Sequence, residues 1–196
     1  MPIKFQFENP DKGVWVLLRQ VHNLVSKCED QVFSEYDLTT EQHGVLMAIK
    51  HIDGPVRPTD IARWLDRSVN SVSMIIDRMV KAGLVRRVRD RKDRREVHVT
   101  NTSKGQDALK PANLAGLEVI RKILSPLSYE DRLTFLNLLE TIKYEIIEYL
   151  SPGVDIEEIK RNELKQATNL TKWLSEYGLP STPEAKRQGG EKRKTT

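Results

Sequence analysis

The sequence predicts a mainly α chain with a small β-hairpin, an α+β fold, on three observations within residues 56–100. Two short amphipathic segments nearly touch: Ile61, Ala62 and Leu65 face one way on the first, and Val72, Ile75, Ile76, Met79 and Val80 on the second. Only Asp66 and Arg67 form the turn between them. At Gly83 the apolar period changes from helical to alternating, in LVRRVR at 84–89 and again at Val97 and Val99. Charge is concentrated in the same place, since residues 57–95 hold twelve Lys or Arg against five Asp, net +7, in a chain whose total is +4. Helix, tight turn, helix and cationic hairpin, in that order, are the layout of a winged helix-turn-helix, here with long flanking helices.

Taken in order, residues 1–11 read as an extended arm. Between Lys12 and Phe33 the residues Val14, Leu17, Leu18, Val21, Leu24, Val25, Cys28 and Val32 recur on one wide stripe of a long first helix. Thr39 and Gln42 form a capping box for a second helix whose inner face is Val45, Leu46 and Ile49. The segment HIDGPVRP stops it, and a short strand around Val56 is expected to pair with the wing. Thr59 is read as the cap of the third helix and Ser68 as that of the fourth.

Beyond the hairpin, the polar run Asn101 to Gly105 opens a helix that reaches Leu124, with Pro111 inside it as a kink or a displaced start. Ser128 and Asp131 cap the next helix, which Ser151, Pro152 and Gly153 end. A further amphipathic helix covers Asp155 to Tyr177 and stops at Gly178 and Pro180. Residues 181–196 are poor in apolar side chains and read as a basic flexible tail. The expected division is thus 1–35 for the arm and first helix, 36–102 for the winged unit, 103–153 for two flanking helices, 154–180 for an additional helix and 181–196 for the tail.

The chemistry points to duplex DNA. The major groove admits a helix, and a helix-turn-helix turns the N-terminal residues of its second helix toward base edges. On that helix Ser68, Val69, Asn70, Ser71, Ser73, Met74, Asp77 and Arg78 are not needed for the core. Asn70 suits adenine, Val69 or Met74 a thymine methyl, and Arg78 a phosphate, while Asp77 needs a cationic partner or a place at the rim. Between Arg86 and Arg95 the hairpin carries seven cations against two aspartates, and Arg91, Lys92 and Arg94, with Arg95 beside them, are candidates for the adjacent minor groove.

Other classes find less support. The chain has no phosphate-binding glycine loop, no HExxH and no nucleophile with a recognisable base, so no enzyme is expected. One cysteine, Cys28, and four scattered histidines suggest neither a disulfide nor a metal, and no cofactor is implied. Without a long apolar run or a signal-like start, a cytoplasmic location with no membrane contact is expected. Two rival functions remain: a winged-helix protein-interaction module and a nonspecific, nucleoid-type DNA binder.

The ordered set LTTEQHGVL at 38–46, the helix pair Ile61–Leu65 and Val69–Met79, KAGLVRR at 81–87, DRKDRR at 90–95 and VHVTNTSKG at 97–105 resembles the MarR family of transcription regulators, the multiple antibiotic resistance regulator type, in register over residues 38–105. The resemblance implies that Arg94 enters the minor groove while Asp93 helps to hold the wing. It implies that the helices at 12–35, 103–124 and 128–150 are dimerisation helices of a homodimer. It further implies a pseudo-palindromic operator, usually repression, and release of DNA by a small aromatic or anionic effector in a cleft between the dimer helices and the winged unit. Trp15, Tyr36 and His43 are candidates to line that cleft; Trp64 fits packing better.

Three departures stand out. Arg91 replaces the proline often found after the first wing aspartate, and the 155–177 helix and the tail extend past the usual family end. Cys28 lies later in the first helix than the reactive cysteine of the redox-responsive branch, and on the apolar stripe, so a buried core thiol is expected.

Overall fold

Asn9 caps the first helix by accepting hydrogen bonds at its Oδ1 from the N–H groups of Asp11 (2.8 Å) and Lys12 (3.2 Å), with Pro10 in the first turn. From there the computed structural model describes residues 9–89 and 96–176. Among these, seven helices and two strands follow as α1 (Pro10–Ser34), α2 (Thr40–His51), α3 (Pro58–Trp64), α4 (Val69–Lys81), β1 (Val85–Arg89), β2 (Val97–Asn101), α5 (Ser103–Leu124), α6 (Tyr129–Leu150) and α7 (Ile156–Glu176). The chain divides into two compact units, Met1–Leu139 and Glu140–Thr196, with the boundary inside α6.

In the first unit the core belongs to the winged module. Leu46 and Val45 of α2, Ile61 of α3, Ile76 and Met79 of α4 and Val99 of β2 are all fully buried. The capping box of α2 is present, with the Gln42 N–H donating to Thr39 Oγ1 (3.2 Å) and the Thr39 N–H donating to Gln42 Oε1 (3.0 Å). The cap of α3 is Arg57 rather than the expected Thr59. Pro58 takes the first helical position, where its missing N–H costs nothing, and the Asp60 carboxylate accepts the Arg57 N–H at 3.0 Å. Ser68 caps α4 as expected, its Oγ accepting the Ser71 N–H (3.2 Å).

Val72, Ile75, Ile76 and Met79 are the buried face of α4, whereas Val80 is 38% exposed, a correction to its expected place in the core. It stands at the edge of the stripe, where the chain turns away. Gly83 makes that turn at φ +73°, a region side chains resist, and the Leu84 N–H donates to the Met79 carbonyl (2.9 Å) while the Gly83 N–H donates to that of Val80 (3.0 Å). The helix thereby delivers the chain directly into β1.

β1 and β2 pair antiparallel, with Val85 opposite Asn101, Arg87 opposite Val99 and Arg89 opposite Val97. The strand expected around Val56 does not form. The Val99 N–H donates to the Val56 carbonyl (2.8 Å), but Pro55 and Pro58 on either side lack the donors that would continue a ladder. Thr102 Oγ1 then accepts the Gly105 N–H (3.1 Å) to cap α5, which runs through Pro111 without interruption.

The long helices bury little. Of the 25 residues of α1 only Gly13 and Phe33 are buried, and the stripe expected to face inward leaves Val14, Leu17, Val21 and Leu24 exposed. α6, capped by the Ser128 and Asp131 pair, buries no residue at all. In the second unit, Glu163 of α7 accepts from Lys143 Nζ (2.7 Å) and the Tyr144 hydroxyl (2.8 Å) of α6, and the Lys143 and Lys160 ammonium groups lie 4.4 and 5.1 Å from the Tyr144 ring centre. Asp155 caps α7 through the Glu158 N–H (2.9 Å). The expected stop at Tyr177 to Pro180 and the tail at 181–196 lie outside the described residues.

Candidate nucleic-acid interface

α3 and α4 are joined by Leu65, Asp66, Arg67 and Ser68, and the tight connection is held by the backbone itself. Asp66 adopts φ +50°, while the Arg67 N–H donates to the Ala62 carbonyl (2.9 Å). With Ile61, Ala62, Val72 and Ile76 buried between the helices, the opposite face of α4 is left to solvent. Ser68, Val69, Asn70, Met74 and Arg78 are exposed there, with Ser71 and Ser73 partly covered at its margins. Met74 is 66% exposed, a cost in apolar hydration that a contact would recover.

Asp77, the awkward carboxylate of this helix, is paired. Arg87 of β1 reaches it with Nη1 and ties the strand to α4. A second ion pair, Arg57 to Glu96 at 2.8 Å, braces the start of β2 against the segment before α3. Lys104 donates to the last-turn carbonyl of Ala82 (3.0 Å), closing α4 where its dipole favours a cation. β1 is thus tied to α4, β2 to the segment before α3, and α5 to the end of α4.

The strand itself adds cations that reasoning from the turn alone left out. Arg86 and Arg89 are exposed on β1, with Arg86 Nε donating to Thr100 Oγ1 (3.1 Å). Their alternation with Val85 and Val88 was the available signal. Arg91, Lys92, Asp93, Arg94 and Arg95 lie outside the described residues.

Of the aromatic candidates, Trp15 stands apart from the other two. Trp15 is 58% exposed near the start of α1, about 27 Å along the helix from Phe33 at 1.5 Å per residue. Tyr36 packs partly buried against the core beyond the end of α1. His43 of α2 stacks on Phe33 with ring centres 3.8 Å apart, and its Nε2 lies 2.5 Å from Asn113 Oδ1 on α5. Burial holds the His43 pKa below its ordinary value, with the Asn113 bond pulling the other way. Trp64 stacks on His51 at 6.2 Å and packs against the core, as expected.

Cys28 is not the buried thiol the stripe suggested. It is half-buried, because α5 meets only part of that stripe and leaves a cleft of about 60 Å³ beside it. Among the described residues no group of three or more His, Cys, Asp or Glu is placed to hold a metal ion, and no helix is long and apolar enough to cross a membrane.

Residues 36–96 match the MarR family, the stretch from the end of α1 through the wing to β2. The chain is also similar to the HTH-type transcriptional regulator PecS of Dickeya dadantii, 27% identical in a 147-residue alignment that covers 71% of this chain and 89% of that one. Among solved structures, the organohalide-sensing regulator RdhR in its 2,4-dichlorophenol-bound form superposes with a TM-score of 0.67 at 20% identity, covering 78% of this chain and 94% of its own. MepR of S. aureus, solved as a DNA complex, superposes with a TM-score of 0.61 at 22% identity, over 66% of this chain and 94% of its own. The fold is thus shared over most of the chain, and its central unit from α2 to β2 coincides with the stretch that matches the MarR family model.

Proposed function

We propose that this protein is a homodimeric, sequence-specific double-stranded DNA-binding transcription regulator, a repressor released from its operator by a small effector. The observation that carries this reading is the outer face of α4, where Val69, Asn70 and Met74 stand exposed above Ser68 and the Asp77–Arg87 pair locks a cationic strand alongside. Ser68, Val69, Asn70, Ser71, Ser73 and Met74 meet the major groove in this reading, and Arg78 meets phosphate. Arg91, Lys92, Arg94 and Arg95 serve the minor groove, with Asp93 holding the wing.

Dimerisation is supported by α1 and α6. Helices of 25 and 22 residues that bury two residues and none, with Val21, Leu24, Leu133 and Leu136 open to water, expose the kind of apolar surface that marks a protein contact. Two-fold symmetry would present two copies of α4 to a pseudo-palindromic site and double the sequence read. The arm and α1, with α5 and α6, take the dimerisation role; residues 36–102 bind DNA, and α7 and the tail are additions. An effector is supported by the 2,4-dichlorophenol complex of RdhR, and Tyr36 and His43, with Trp15, are assigned to its surroundings. The protein acts by binding rather than catalysis, in the cytoplasm where its operator lies.

The test is affinity for DNA upstream of the protein's own gene against a shuffled duplex of equal length, at one stated salt concentration. A ratio of about 10³ or more is expected. Equal affinities would leave only a nonspecific binder, and no binding would leave the protein-interaction module.

A further inference from the structure

Guanine and cytosine are read in the major groove chiefly by charged side chains: arginine or lysine takes guanine O6 and N7, and a carboxylate takes the cytosine amino group. The first two turns of α4 carry none. From Ser68 to Ile76 the sequence is SVNSVSMII, without a lysine, arginine, aspartate or glutamate.

The charged residues at the margins of this stretch are engaged or distant. Arg67, one residue before Ser68, is held by Glu41 of α2 at 3.1 Å. Asp77, the one carboxylate of α4, is paired with Arg87 of β1. Arg78, the first cation of α4, follows Asn70 by about 12 Å along the axis at roughly 1.5 Å per residue.

What remains is neutral and suits A·T pairs. Asn70 and Met74 stand one turn apart on the same side of α4, and both are exposed. An amide takes adenine at N6 and N7, and an apolar side chain takes the C5-methyl group of thymine. Met74 is 66% exposed against 43% for Val69, and Val69 lies in line with the partly covered Ser73 rather than with Asn70. Four residues of helix span about 6 Å, the reach of neighbouring base pairs stacked about 3.4 Å apart.

We propose that Met74 is a specificity-determining residue of the regulator described above, a reading on which this inference rests, and that it selects a half-site with thymine in the pair next to the adenine taken by Asn70. The methyl group is the feature recognised. Uracil, which pairs as thymine does but lacks that methyl, is therefore a poor substitute at this position.

Duplexes selected from a random pool by the full wild-type chain supply the half-site, and the same selection with Asn70→Ala marks the position that Asn70 reads. An A·T pair is expected there, with a second A·T pair beside it. The selected duplex is then made with uracil for the neighbouring thymine and compared by competition binding at one stated salt concentration. The wild type should lose about fourfold in affinity per half-site, the effect of burying roughly one methyl group, and Met74→Ala should bind both duplexes equally. Met74 is exposed, so its replacement leaves the core intact, and the uracil comparison on the wild type needs no variant. A G·C pair at the position relaxed by Asn70→Ala, no relaxed position, equal binding of both duplexes by the wild type, or a difference that survives Met74→Ala would overturn the assignment. A pool that yields no common sequence strikes the regulator reading itself, whereas a clear half-site indifferent to the methyl group strikes only the role of Met74.

Discussion

Asp77 puts a negative charge on the helix proposed to face a polyanion, and the Arg87 guanidinium answers it from β1. Both side chains are substantially exposed, so the pair adds at most about 1 kcal/mol to stability; its use is to set the strand beside the helix. Asn70 is free of any such structural duty in this reading. Asn70→Ala should leave the melting temperature nearly unchanged and reduce discrimination between operator variants by about 1–3 kcal/mol at one base pair, measured by competition binding. His43 belongs to stability instead. Its folded pKa is depressed, as is that of His51, so the unfolded chain takes up protons first on acidification. The stabilisation is complete above the ordinary value of about 6.5 and is lost as pH falls below it toward the folded value. Thermal melts from about pH 8 to 5 should show a shallower fall for His43→Gln than for the wild type; parallel curves would remove His43 as a cause. The caps at Thr39 and Ser68 were legible because capping is local, whereas the partner of Asp77 lies across a glycine turn whose direction no nearby residue spells out.

At the level of elements, the junction of α4, β1 and α5 is the tightest place in the winged module. A Cβ on Gly105 would lie 2.2 Å from the Leu84 carbonyl oxygen, which is backbone already engaged by the Thr102 N–H (3.1 Å). Gly105→Ala should therefore cost about 1–3 kcal/mol through forced backbone movement, read as a lower denaturation midpoint with an unchanged slope. The same contact shows how α4 is positioned: its C-terminus turns at Gly83, and the start of α5 packs onto that turn. Element type and order could be read from apolar spacing and turn residues. Exact starts depended on competing caps, as Pro58 and Asp60 show by shifting the start of α3 to Arg57.

For the whole molecule, the apolar side chains of α1 and α6 that stand exposed, Val21, Leu24, Leu133 and Leu136 among them, are what assembly must account for. In the second unit, α7 holds the end of α6 through Glu163, which bonds both Lys143 and Tyr144. A chain ending at 154 loses these bonds and leaves Lys143 and Tyr144 of α6 without their partner on α7. It should show a lower dimer mass or a loss of solubility by light scattering, while a chain ending at 176 keeps both. A soluble, fully dimeric 1–154 protein would show that α7 has no part in assembly.

The sequence by itself determined the helical periods, most of the caps, the glycine that turns α4 into the wing and the concentration of positive charge, because each depends on residues within a few positions of one another. Only the tertiary structure decided that the α1 stripe stays open, that Asp77 is answered by Arg87, and that Phe33, His43 and Asn113 join three helices. Those depend on which surfaces meet after the chain has folded back over tens of residues, and a pattern of hydrophobicity states that a face must be covered without naming what covers it.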